Sequence, residues 1–243
     1  MPFRFSGDGP HAQFVSLFGL AAHAHRMADA ALLLFDRGLT LEALPLVRST
    51  YECALTATWL LRVEDATVGF VREGGRQRAQ LLKGARVVLP EDDYTRAEQI
   101  AAEFDHQPGT AEQSARVIKE RCDDLTPGGT SAYLHYRAMS ALSHAGPFVA
   151  DYYLDLTDGQ PLPTLRRTPK YENPHPWLFM TAAALIWAGR SISVCNADHQ
   201  RRSELQRAAR TLGVPLDLFA SDRVVVRQAK AARERNVARD RQP

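Results

Sequence analysis

Between positions 12 and 35 the apolar residues Val15, Phe18, Ala22, Ala28, Ala31, Leu32 and Phe35 recur at helical spacing, and Arg37-Gly38 follows. That period predicts a helix over 12–35 stopped by a glycine. Thr40 opens a second run to Leu61 that is apolar on nearly every side from Cys53 onward, which predicts a central, buried helix. Pro45 leaves its start open. With Thr40 as N-cap the proline removes a backbone bond and kinks the first turns, whereas a start near Leu44 puts it at the first helical position. Further helices are predicted over 64–87, with Gly74-Gly75 as a weak point, and over 91–104, whose Glu91-Asp92-Asp93 start suits a helix dipole. A shorter one covers 111–122, and after the loop 126–129 another carries Arg137 and His144 to a stop at Gly146-Pro147.

The period then changes. Phe148, Ala150, Tyr152, Leu154 and Leu156 alternate with more polar residues and Asp158-Gly159 offers a tight turn, so a small β-hairpin is expected at about 148–167. Pro161 and Pro163 confine its return strand to an edge. Helical spacing resumes over 177–197 and in an Arg-rich stretch to Leu212; a Gly213-Val214-Pro215 turn and a last helix from Ser221 follow. The expected architecture is mainly α, a helical bundle with a hairpin insert. Residues 1–10 read as a loose lead-in, 11–213 as the bundle and 214–243 as a basic helical tail.

Composition narrows the function classes. The 45% hydrophobic and 24% charged fractions are those of a soluble globular chain. The longest apolar stretch, 177–189, is shorter than a bilayer span, and no basic-then-apolar leader opens the sequence, so a cytoplasmic protein without membrane contact is expected. Three scattered cysteines, Cys53, Cys122 and Cys195, imply no disulfide framework or CxxC metal site. His23 and His25 would leave one helix on different sides, and HExxH, GxSxG and Gly-rich phosphate motifs are absent, so neither metal nor cofactor is expected. The net charge of +2 is unevenly spread: from His199 onward eleven Arg and Lys face five Asp and Glu, a surplus of six that leaves −4 elsewhere. Such a tail either attracts phosphates or an acidic protein, or is a solvated face. The stretch 205–227 has a turn between two helical runs, but Pro215-Leu-Asp-Leu-Phe219 argues against a DNA-reading second helix.

Arg137 and His144 are the sharpest candidates. Seven residues apart on one helix, they would leave the same side roughly 10 Å apart. They pair a permanent cation with the side chain that titrates near neutrality. Metal-free RNA cleavage needs both, a base for the 2′-hydroxyl and a cation for the phosphate charge. Ser140, between them, and Tyr136 could each add a hydrogen bond to phosphate. The competing reading makes His144 a cap in the last turn, where free carbonyls and the dipole favour an imidazolium. Arg48 and Glu52 form a second pair, one turn apart on the helix read as buried. They fit either an ion pair tying that helix to a neighbour or an extension of the site, with Glu52 orienting His144 and Arg48 standing beside Arg137.

The run Leu-Val-Arg-Ser-Thr-Tyr-Glu at 46–52, its apolar continuation, and Tyr136-Arg137 through Leu142-Ser143-His144 resemble a large bacterial family of helical proteins similar to HEPN domains (higher eukaryotes and prokaryotes nucleotide-binding). The resemblance spans roughly 41–200. It implies a metal-independent endoribonuclease or RNA-binding protein of defence or toxin kind, with Arg137-x6-His144 as the arginine-histidine motif near the end of a core helix. It also implies a homodimer that shares the site, and an antitoxin-like protein partner. Ala138 stands where many active members carry a polar residue. The alternative is a non-catalytic helical interaction module in which the same Arg and His are structural.

Overall fold

The computed structural model describes residues 11–85, 87, 90, 94–95, 99, 111–155, 162–171, 173–196 and 201–239. It is mainly α. The elements are α1 (His11–Asp36), α2 (Thr40–Arg62), α3 (Ala66–Ala85), α4 (Glu112–Arg116), α5 (Ile118–Asp123), β1 (Leu125–Thr126), α6 (Gly129–Ala141), α7 (Pro147–Asp151), β2 (Leu154–Asp155), β3 (Thr164–Leu165), α8 (His175–Cys195), α9 (Arg202–Leu212), β4 (Phe219–Ala220) and α10 (Asp222–Arg239). The lead-in 1–10, the Asp158-Gly159 turn and most of the helix expected over 91–104 lie outside the described residues. The chain divides into two compact units, Met1–Thr58 with Pro127–Leu218, and Trp59–Thr126 with Phe219–Pro243.

In the first unit α1 packs on α8. The buried positions of α1 are Leu17, Ala21, Ala24, Ala28 and Ala31, a seam that alternates steps of four and three and is almost all alanine. Small side chains bring backbones close, and the Thr50 hydroxyl of α2 accordingly lies 3.5 Å from the Ala24 carbonyl. The buried threonines of α2 solve a second problem. Thr50, Thr56 and Thr58 each donate to the carbonyl one turn back, at 2.8, 2.8 and 2.9 Å, so a polar group sits inside an apolar helix without an orphaned donor. Pro45 lies inside α2, which begins at Thr40, so the first of the two possible starts is the observed one; Leu39, not Thr40, supplies the capping carbonyl, to Ala43.

Helix α8 corrects the reading that its apolar stretch is too short for a bilayer: its 21 residues are long and apolar enough to cross one. It nevertheless packs against both α1 and α9, and 44% of its most apolar window is buried. Its Trp187 indole donates to the Pro215 carbonyl at 2.9 Å, and Arg190 grips Asp217 through two hydrogen bonds at 2.9 and 3.3 Å. These bonds fix the segment after α9, which ends at Gly213 with φ +72°, a left-handed stop that glycine adopts without strain.

The hairpin forms with less strand than the alternation suggests. Phe148 to Ala150 belong to α7, because Pro147 is well placed at a first helical position and Gly146 before it is extended. Among the described residues Leu154↔Leu165 and Asp155↔Thr164 pair, antiparallel, with Arg166 to Asp155 as a side-chain tie.

In the second unit α3 packs on α4 and runs through Gly74-Gly75 without a break. The single helix expected over 111–122 is two, because Val117 is extended (φ −122°, ψ 116°). Two short strands that the sequence did not suggest follow: β1 and β4 pair antiparallel through Leu125↔Ala220 and Thr126↔Phe219. The centre of this unit is Asp124, fully buried yet charged. Arg227 of α10 meets it with two parallel bonds of 2.9 Å, and the Trp59 indole from the last turn of α2 donates to it at 3.0 Å. The Asp124 and Asp123 carbonyls also accept from the Ser221 amide and hydroxyl, at 2.9 and 2.8 Å, which seats the start of α10.

A second buried carboxylate, Glu73 of α3, receives Arg76 at 2.5 and 2.6 Å and Gln77 at 2.9 Å, with Arg116 of α4 at 3.5 Å. The Arg76 hydrogen bonds hold its carboxyl below the ordinary glutamate range against the opposing effect of burial. A lowered folded-state value means the stabilisation is complete above the unfolded value and is lost as the pH falls through the folded one.

Two outcomes are expected. Asp124→Ala leaves the Arg227 guanidinium and the Trp59 indole without their partner and should lower unfolding stability by about 3–5 kcal/mol, whereas the apolar pair Asp124→Leu with Arg227→Met should recover much of it. Urea unfolding midpoints read this directly, and a wild-type midpoint for Asp124→Ala would rule out the central role of the carboxylate. Glu73→Gln should cost stability at neutral pH, with the difference from wild type shrinking as the pH is lowered through the glutamate range; a pH-independent difference would show that the charge of Glu73 contributes nothing.

Candidate functional site

Helix α6 carries most of the candidate residues, and its burial pattern sorts them. Met139 is fully buried, Tyr136 and Ser140 are half-buried, and their spacing of three and four defines the inward side. Arg137, one residue on from Tyr136, is turned about 100° round the helix and is exposed. The helix stops at Ala141. Ser143 turns back on it, its amide bonding the Ser140 carbonyl at 3.1 Å and its hydroxyl the Met139 carbonyl at 2.6 Å. His144 therefore lies beyond the helix in an exposed bend, and this corrects the expectation of one face shared with Arg137 as well as the capping alternative. The physical reason is local: the Ser143 hydroxyl takes a carbonyl that a further helical turn would need, and Pro147 keeps Gly146 extended. Among the described residues neither Arg137 nor His144 has a hydrogen-bond or ion-pair partner.

The residues that do come together are Arg48, Glu52 and Tyr136. Arg48 of α2 donates to the Tyr136 hydroxyl at 2.7 Å, with its guanidinium carbon 5.1 Å from the ring centroid, and stands 3.8 Å from Glu52. Tyr133, one turn before Tyr136, lies nearly parallel to it at a ring separation of 6.4 Å. Glu52 thus has the charged partner expected of it, and that partner is Arg48, not His144 or Arg137. With side chains 23% and 32% exposed, the pair contributes only on the order of tenths of a kcal/mol, so its hydrogen bond to Tyr136 matters more for joining α2 to α6.

Two groups in this region keep unused hydrogen-bonding capacity. The Arg48 Nε donor and the Ser140 hydroxyl are both buried without a partner. The Tyr136 hydroxyl, accepting from Arg48, still has its own proton to give. Chemically this is an arrangement of donors, suited to an oxyanion rather than a cation, with Arg137 and His144, which have no partner among the described residues, further along the same segment. Among the described residues no group of three His, Cys, Asp or Glu side chains is placed to hold a metal ion. Sequence reasoning did not pick out Tyr133, although its i, i+3 spacing to Tyr136 was the available signal.

A mainly α chain whose candidate residues gather on α2 and α6 is the class that fold and site define. The chain belongs to the family of unknown function DUF5677, which matches residues 14–161 and so includes Arg48, Glu52, Tyr136, Arg137, Ser140 and His144. No curated protein and no solved structure matches it.

The tie between α2 and α6 can be tested alone. Tyr136→Phe keeps the ring near the guanidinium but removes the acceptor, and should destabilise by about 1 kcal/mol in chemical denaturation. Tyr136→Ala, which also removes the ring, should cost distinctly more; equal losses would mean that the hydroxyl carries the whole interaction.

Proposed function

We propose that this protein is a HEPN-like, cytoplasmic, RNA-directed protein acting as a metal-independent endoribonuclease of defence or toxin type. The observation that carries this reading is that Arg137 and His144, within one short segment, are both exposed and both without partners among the described residues. Several arginines elsewhere in the chain are paired with carboxylates, as Arg190 is with Asp217 and Arg227 with Asp124.

In this reaction His144, as the neutral imidazole, takes the proton of a ribose 2′-hydroxyl, and that oxygen attacks the adjacent phosphorus. The bond to the 5′-oxygen breaks, the leaving oxygen takes a proton from water, to which the His144 imidazolium gives its own back, and the products are a 2′,3′-cyclic phosphate and a 5′-hydroxyl end. Arg137 binds the non-bridging oxygens as charge accumulates on them, a role suited to a planar guanidinium. Tyr136 and Ser140, with the donor capacity described above, support the phosphate, while Arg48 and Glu52 hold α2 against Tyr136. Because His144 lies off the helix, a homodimer that brings the imidazole of one copy to the arginine of the other fits this chemistry, and an antitoxin-like protein covering the segment would silence it.

A non-catalytic interaction module is favoured by Arg48, whose guanidinium is already engaged by Glu52 and Tyr136. The two readings separate in one assay. Purified protein should cleave single-stranded RNA in excess EDTA, His144→Ala should reduce cleavage at least 100-fold with the fold intact, and Arg137→Lys should impair it although the charge is kept. Cleavage that survives His144→Ala places the activity elsewhere, and absence of cleavage in wild type leaves the module reading.

A further inference from the structure

Helix α9 concentrates cations that have no carboxylate partner among the described residues. Arg202 stands in its first turn and Arg207 and Arg210 follow, one turn apart, all exposed. Arg201 precedes them at the N-cap. Elsewhere Arg72, Arg76, Arg166, Arg190, Arg223 and Arg227 each meet a carboxylate. Among the described residues the four arginines of this stretch meet none, and Glu204, the acid in the same helix, pairs with none of them. Arg201 also adopts φ +63°, a left-handed conformation that it shares, among the described non-glycine residues, only with Asp65. A long side chain thus occupies a backbone position that glycine would take without strain.

We propose that this face of α9 is a docking surface for the phosphate backbone of single-stranded RNA. From Arg202 to Arg210 the helix rises about 12 Å, enough to present guanidinium forks to successive phosphates. The occupant is a polyanion by charge complementarity, since one acid accompanies four arginines between 201 and 210. A membrane surface fits less well. Inserting α9 would require its apolar side, and that side is already used: Leu205 is packed so tightly on α8 that a Cβ at Gly189 would lie 3.1 Å from its side chain, and Ala209 is buried. The segment lies beyond the family match at 14–161, so the surface belongs to this chain's own C-terminal part. The choice of RNA among polyanions rests on the ribonuclease reading; the location rests on α9 alone.

The experiment is fluorescence anisotropy of the full chain with a labelled 20-nucleotide oligouridine, over a series of salt concentrations, with phosphatidylserine vesicles as a second probe. Arg202→Gln, Arg207→Gln and Arg210→Gln together should weaken RNA binding at least tenfold at low salt and lower the slope of log affinity against log salt by about two, close to 0.7 per lost phosphate contact on a single strand. Circular dichroism should show unchanged helicity, because all three side chains are exposed. His144→Ala should bind like wild type even where cleavage is lost, which separates docking from catalysis. A triple variant with wild-type affinity and salt slope would overturn the proposal even if wild type cleaves RNA. So would binding to vesicles without binding to RNA. Binding that depends on the three arginines in a protein that never cleaves RNA would uphold the docking surface and remove the nuclease.

Discussion

A carboxylate with no access to water must be satisfied by the protein, and Asp124 is satisfied by residues 65 and 103 positions away along the chain, Trp59 and Arg227. Leaving it unpaired would cost several kcal/mol, so the second unit forms only when the end of α2, the end of α5 and the beginning of α10 arrive together. The short β1–β4 pairing follows from this. Two residues per strand are too few to hold by themselves, but β1 begins directly after Asp124 and β4 directly before Ser221, whose amide and hydroxyl bond the Asp124 and Asp123 carbonyls.

What was legible in the sequence was what depends on period. The helical extent of α1, the apolar run of α2 and the stop at Gly213 are properties of neighbours in the chain, and local spacing suffices to read them; the face that α1 buries was not legible, because Val15, Phe18, Ala22 and Leu32, which marked its period, are exposed and the buried seam is Leu17, Ala21, Ala24, Ala28 and Ala31. The Asp124 network was invisible because an aspartate between Asp123 and Leu125 looks like any solvated turn residue until its distant partners are placed. The same holds for Glu73, which sits in a stretch with arginine on both sides and gives no local sign of being buried.

The errors at the site have a common physical origin. Extending α6 to His144 counted helical spacing but ignored that serine hydroxyls compete for helix carbonyls, as Ser143 does for that of Met139. Extending the hairpin back to Phe148 counted alternation but overlooked the preference of proline for a helix start, which Pro147 expresses. In both places a two-atom local preference outweighed a pattern of several residues, and both lie in the stretch from 142 to 151 that separates α6 from the hairpin. By contrast the Arg48–Glu52 spacing was read as a sign of tertiary contact, and the Tyr136 hydroxyl is that contact.

The arginines then divide by what they meet. Where a guanidinium has a carboxylate, as at Asp124, Asp217 and Glu73, its geometry is used up in holding elements together, and its charge is cancelled within the fold. Arg137 and the α9 group keep both geometry and charge, because no carboxylate among the described residues meets them. Their positive charge acts on whatever anion approaches, irrespective of whether His144 reaches a ribose. On the proposed reading, attraction of RNA and its cleavage are therefore separable: the first would require only exposed guanidinium groups, while the second would require the imidazole of a bend residue to be brought to a phosphate held by Arg137.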